Sequence, residues 1–387
     1  MHDMVRDLTI RIANEEAFCS FDDQGRHIPT VDSRRLGVTR KMDFHTLKRN
    51  SKLRALLLMT SHSICFNRDI GLAKVKSLRV LDLSHVNLDN ICMEDLWSWI
   101  SSLKRLACLN LRDVANLKEV PYSIGKLWGL QILILAECRS LEKLSASVTT
   151  LKKLRVLNVG NCPSLQYLPQ GLSRLSNLQE LYGSKLAGLT KTEGCHLREL
   201  KGLIQLRELQ VDIHEESVIE DDELTVLAEL KQLRVLSINA ENCENIDILQ
   251  KLDKLSPPPC LEELYLGHYC GEVTPEWINL TSLSQLQYLC IENSRLKHMS
   301  PHFWGSDGND WKVEGLCLKL LPRLQVEWEM VQRVMPLLRY LEVSRCYMLQ
   351  SFPCNVMTLG YWKKTEEENE DGELEDTVYQ EELHAAP

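Results

Sequence analysis

The residues best equipped for chemistry in this 387-residue chain are fourteen cysteines, a histidine pair and one Gly-Lys step. His298 and His302 stand four apart, the spacing at which one helix face presents two imidazoles to a metal. Pro301 lies between them and argues against that helix. Gly125-Lys126 would cradle a phosphate only within G-x-x-x-x-G-K-[ST], and Leu127 follows it, so no phosphate loop is expected. Neither H-E-x-x-H nor G-x-S-x-G occurs. The cysteines include no Cys-x-x-Cys pair and no zinc-finger spacing, which points to free buried thiols in a reducing compartment. The expectation is a chain without catalytic residues and without a metal site.

What positions the cysteines is a repeat. The pattern L-x-x-L-x-L, or a close variant, starts at Leu53, Leu78, Leu106, Leu130, Leu154, Leu178, Leu206, Leu233, Leu261, Leu286, Val313 and Leu338. These twelve starts lie 24 to 28 residues apart. Self-similarity of this kind predicts an α/β leucine-rich-repeat solenoid, curved, with parallel strands on its concave face and a return segment on the convex side. Pro121, Pro169 and Pro353 recur where that return begins. Cys138, Cys162 and Cys346 each fall eight residues after the first leucine of their unit, a buried turn position. The pattern is least regular over 182–206, at "LSPPPC" and at "HFWGSDGNDW", which read as loops inserted between units.

Residues between or beside the pattern leucines face away from the core: Tyr182, Glu208, Gln210, Glu263, Tyr265, Tyr288, Glu292, Tyr340, Glu342 and Arg345. Cys290 and Cys317 share the slot between the last two leucines and are expected to be solvent-accessible. Tyrosines thicken toward the C-terminal half, and tyrosine supplies large contact area at modest entropic cost. Tyr182, Glu263, Tyr265, Tyr288, Glu292, Tyr340 and Arg345 are therefore the partner-binding candidates, with Tyr265, Tyr288 and Tyr340 as the hot spot. The alternative is that these rings only cover neighbouring leucines.

Charge narrows the partner classes. The formal net charge is -9, but the acidic segment from Lys363 carries most of it, and the remainder is close to balance. Nucleic-acid binding is not expected. That segment, with few apolar residues, is expected to be a disordered tail over 362–387. No run of about 18 apolar residues occurs, so no membrane span is expected. At the other end, Met1, Met4, Val5, Leu8 and Ile12 line one face of an amphipathic helix that charges interrupt, unlike a secretory leader.

Taken together, Met1-His2-Asp3, "VRDLTIRIANEE", "SRRLGV" at Ser33, "SKLRALLL" at Ser51 and "LPQGLSRLSNLQELYG" resemble plant intracellular NLR disease-resistance proteins of the coiled-coil class. The resemblance implies that residues 1–50 are the end of the nucleotide-binding switch, a helical remnant of its winged-helix subdomain with a connector. Residues 51–361 would be the repeat domain. It further implies that His2 and Asp3 would contact bound ADP, provided an upstream nucleotide-binding domain were present; the chain alone is expected to hold no cofactor. The expected role is cytoplasmic protein recognition in innate immunity. Its partner would be a pathogen effector, a guarded host protein or the receptor's own switch domain, the chain being a truncated receptor. Two other readings stay open: a substrate receptor of a ubiquitin ligase, which would need an F-box-like segment before the repeats, and a general cytosolic scaffold.

Overall fold

A computed structural model of the protein describes residues 34–38, 52–58, 75–86, 88, 91–188, 193–241, 243–305, 310–349, 361–368 and 374–379. The chain divides into two compact units, Met1–Leu178 and Gln179–Pro387. In both, every pattern forms a strand that opens two residues after its first leucine or valine.

The first unit contains β1 (Arg35–Val38), β2 (Ala55–Leu58), β3 (Val80–Asp82), helix α1 (Met93–Ser102), β4 (Cys108–Asn110), β5 (Glu119–Val120), β6 (Ile132–Ile134), β7 (Lys143–Leu144) and β8 (Val156–Asn158). β1, β2, β3, β4, β6 and β8 pair in that order, all parallel, while β5 and β7 form a separate short ladder. Strand β1 is the "SRRLGV" connector, and its parallel pairing with β2 makes it a member of the repeat sheet.

The second unit contains β9 (Glu180–Lys185), β10 (Glu208–Asp212), β11 (Val235–Asn239), helix α2 (Ile246–Asp253), β12 (Glu263–Gly267), β13 (Tyr288–Glu292), β14 (Gly315–Lys319), helix α3 (Trp328–Val334), β15 (Tyr340–Ser344), β16 (Tyr361–Glu368) and β17 (Leu374–Tyr379). β9 to β16 run parallel, and β17 turns back antiparallel on β16. The last two strands lie in the segment expected to be disordered. Main-chain pairing there continues from β15, whose edge offers donors and acceptors to any sequence, acidic or not.

The core follows from period-two alternation: Leu81, Leu133, Leu209 and Leu289 point inward and are essentially fully buried. Truncating such a leucine to alanine typically costs about 2–5 kcal/mol. Opposite the strands, the return segments use short helices and 3-10 turns, such as Tyr122–Lys126 after Pro121 and Ala146–Thr150 after Ser145. In "HFWGSDGNDW" the expected loop is partly core. A 3-10 turn spans Pro301–Trp304, Phe303 and Trp311 are buried with ring centroids 5.2 Å apart, and the Trp311 indole donates to the Phe303 carbonyl.

Two features recur beyond the strand ends. Seven residues after the pattern start the backbone takes a left-handed conformation at His85, Asp113, Glu137, Asn161, His268, Asn293, Leu320 and Arg345, with φ between 43° and 63°. At the next position the Cys138, Cys162 and Cys346 thiols donate to the carbonyls of Leu111, Leu135 and Leu318 in the preceding repeat. The buried-turn expectation for these cysteines holds. Burial pushes the Cys138 and Cys346 thiols up to about 11. The opening amphipathic helix, His2, Asp3 and Pro353 lie outside the described residues.

Candidate functional site: the strand face of the second unit

Strand register sets three columns of side chains on the face turned away from the leucine core. The first runs Glu208, Val235, Glu263, Tyr288, Gly315, Tyr340. The second runs Gln210, Ser237, Tyr265, Cys290, Cys317, Glu342, and the third ends Gly267, Glu292, Lys319, Ser344.

The three tyrosines expected to form the hot spot come together. Tyr265 and Tyr288 have ring centroids 5.5 Å apart, and Tyr288 and Tyr340 6.3 Å, both tilted. Gly315 makes the second contact possible, because a Cβ at that position would stand 2.6 Å from the Tyr288 ring. A glycine in a strand marks such a close approach, and this was the sequence signal for Gly315.

The two outer rings are fixed at their hydroxyls. Tyr265 donates to Glu263 at 2.8 Å, and Tyr340 donates to Glu342 at 2.6 Å. Glu342 also receives the Lys319 ammonium at 3.0 Å and the Cys317 thiol at 3.6 Å. Burial raises the Glu342 pKa, but the Tyr340 hydroxyl and the Lys319 ammonium outweigh it and hold the carboxyl below its ordinary range. Burial and the Glu263 carboxylate push the Tyr265 phenol upward. Tyr265 and Tyr340 are therefore half-buried and pinned by carboxylates.

The remaining candidates are placed differently. Tyr182 is only 9% exposed, and its hydroxyl is held by Glu208 and by Glu180. The cause is a bulge: Tyr182 and Gly183 together oppose Gln210, and Gly183 has φ 73°. Glu292 is exposed and Glu263 half-buried, while Arg345 sits on the left-handed turn beyond β15. Cys290 and Cys317, expected to be accessible, are 6% and 0% exposed. Neighbouring rings and carboxylates on adjacent strands cover a column that a single-strand reading leaves open.

The 3-10 turn from Pro301 begins between His298 and His302. Among the described residues no group of three His, Cys, Asp or Glu side chains could hold a metal ion, and no helix is long and apolar enough to cross a membrane. What the face offers is π surface, carboxylate acceptors and the ammonium groups of Lys185 and Lys319, the chemistry of protein recognition.

Residues 52–301 match the family described as leucine-rich repeat region. Over 371 residues the chain is 36% identical to Disease resistance RPP13-like protein 4 of Arabidopsis thaliana, covering 94% of this chain and 42% of that protein. It is 26% identical over 384 residues to Probable disease resistance protein RF9 of the same plant, covering 91% of this chain and 35% of the relative. The chain thus spans well under half the length of the curated relatives it matches. Among solved structures, a leucine-rich-repeat protein of Leptospira interrogans aligns with a TM-score of 0.54 at 21% identity, over 80% of this chain and 70% of that one. The functional domain of InlJ from Listeria monocytogenes aligns with a TM-score of 0.51 at 13% identity, over 84% of this chain and 66% of that one. These structures speak to the fold alone. The chain belongs to the leucine-rich-repeat family, and the relatives it matches over almost its whole length are plant disease-resistance proteins.

Proposed function

We propose that the strand face of the second unit, centred on Tyr265, Tyr288 and Tyr340, is the partner-binding surface of a recognition module in plant disease resistance, acting in the cytoplasm. The observation that carries this reading is the clustering of three tyrosine rings, of which the outer two, Tyr265 and Tyr340, have their hydroxyls anchored by Glu263 and Glu342. Anchored aromatic groups lose little entropy on binding, which is what a hot spot requires.

The same face indicates the partner's chemistry. Glu208, Asp212, Glu263, Glu292 and Glu342 outnumber Lys185 and Lys319 along the strands. An arginine- or lysine-bearing protein segment would meet both the carboxylates and the ring faces. A pathogen effector, a guarded host protein and a nucleotide-binding switch domain are all candidates for that partner. No nucleotide step is assigned to this chain, since His2 and Asp3 lie outside the described residues.

The test is proximity labelling in plant leaves with the chain and with a variant carrying Tyr265→Ala, Tyr288→Ala and Tyr340→Ala. The variant should lose capture of the labelled proteins by at least about tenfold while its circular dichroism stays that of the parent. Capture unchanged by the triple substitution would remove the assignment.

A further inference from the structure

The strand face also holds a pair of thiols that recognition does not use. Cys290 on β13 and Cys317 on β14 are register partners in a parallel ladder, so their side chains leave the same face of adjacent strands. Positions so paired stand about 4.8 Å apart, within the span of about 4.4–6.8 Å between Cα atoms that a disulfide bridges. Each thiol shifts the titration of the other, and neither is in a disulfide. The turn cysteines are placed otherwise, since Cys138, Cys162 and Cys346 each face a main-chain carbonyl.

We propose that Cys290 and Cys317 are a redox pair, closing a reversible disulfide between β13 and β14 when hydrogen peroxide reaches them. Cys317 is the attacking sulfur. The Cys290 thiol, the Lys319 ammonium and Tyr288, against burial and the Glu342 carboxylate, hold its pKa below that of an ordinary thiol. Cys317, together with burial, raises Cys290, which suits a resolving thiol.

In the first step the Cys317 thiolate attacks one peroxide oxygen, the O–O bond breaks, and a sulfenic acid forms as hydroxide departs and takes up the proton Cys317 gave up. In the second, the Cys290 sulfur attacks the Cys317 sulfur, the S–O bond breaks, and the departing hydroxide takes the Cys290 proton. Two thiols and one peroxide give one disulfide and two waters: sulfur is oxidised and peroxide oxygen reduced. Peroxide is the fitting oxidant because neither thiol is more than 6% exposed, which bars bulkier disulfide reagents. The bond would form beside Tyr265 and Tyr288, tying the geometry of the tyrosine cluster to oxidation state.

The test uses the full chain. After peroxide treatment, remaining thiols are alkylated in denaturant and the protein is digested without reductant for mass spectrometry. A Cys290–Cys317 linked peptide pair, abolished by dithiothreitol, is expected as the dominant crosslink, with Cys138 and Cys162 recovered as alkylated thiols. In Cys290→Ser the link should vanish and Cys317 should appear as a sulfenic acid trapped by dimedone. Recovery of Cys290 and Cys317 as separate alkylated thiols, or as sulfinic acids without a link, overturns the proposal.

Discussion

The two units build the same strand ladder and finish it with opposite chemistry. In the first unit the column two residues after each pattern start holds Ala55, Val80, Cys108, Ile132 and Val156, all buried and packed together with Ile134 and Ala136. In the second unit the same column holds Glu208, Val235, Glu263, Tyr288, Gly315 and Tyr340, with half-buried tyrosines and carboxylates. The repeat therefore fixes the backbone and the inward leucines, while the outward columns vary freely. One face is a second apolar layer in which Cys108, buried beside Asp82, is pushed up to about 12. The other is a polar, aromatic surface with the Tyr265 and Tyr340 hydroxyls already directed.

A single substitution at the same place in both columns puts this difference at risk. Val156 is 2% exposed among apolar neighbours, whereas Val235 is half-buried between its register partners Glu208 and Glu263. Val156→Lys buries an unpaired ammonium and should cost more than about 3 kcal/mol. Val235→Lys sets the same ammonium between two carboxylates and should fall within about 0.5 kcal/mol of the parent. Urea unfolding of the two variants measures both. Equal losses would mean that the faces do not differ in the way their burial indicates.

The parts of this arrangement that could be read in the sequence are those that repeat. Leucine spacing located the twelve strands that follow a pattern start, and the eight-residue offset located the cysteine turn, because burial of every repeat's interior imposes one register. The left-handed residue before that turn was invisible: glycine usually marks the conformation, and at eight turns a side chain stands there instead. The tyrosine cluster was legible as a column but not as a contact, since the Tyr288–Tyr340 approach depends on Gly315 in the strand between them. The burial of Cys290 and Cys317 was missed for the same reason, as cover comes from neighbouring strands. Pairing of β16 and β17 escaped because composition reports what side chains can bury and is silent on main-chain ladders.

A second, smaller test concerns pH and belongs to the polar face alone. The folded-state pKa of Glu342 is lowered from its ordinary 4.5, although burial opposes this. A depressed carboxylate contributes stability above its unfolded pKa and loses it as pH falls through the folded value. The pair with Lys319 is half-exposed and screened, so the contribution should stay below about 1 kcal/mol. The parent should lose stability between pH 5.5 and pH 3, on the order of the carboxylate range, and Glu342→Gln should remove that part of the slope. Identical slopes in the two proteins would assign the loss to other carboxylates.

The finest comparison is between two turns that share one backbone conformation. Asn161 in the first unit and Leu320 in the second both follow their pattern start by seven residues, at φ 57° and 52°. Asparagine tolerates the left-handed region because its short amide bonds locally, whereas a leucine Cβ crowds the following carbonyl by about 1–2 kcal/mol. Leu320 is also 40% exposed, so little apolar burial offsets that crowding. Exchanging the residue types should therefore move stability in opposite directions: Leu320→Asn up by about 0.5–1 kcal/mol, Asn161→Leu down by a similar amount. Thermal unfolding of both variants reads the sign directly. If Leu320→Asn destabilises, the exposed leucine makes a contribution at that turn large enough to outweigh its backbone strain.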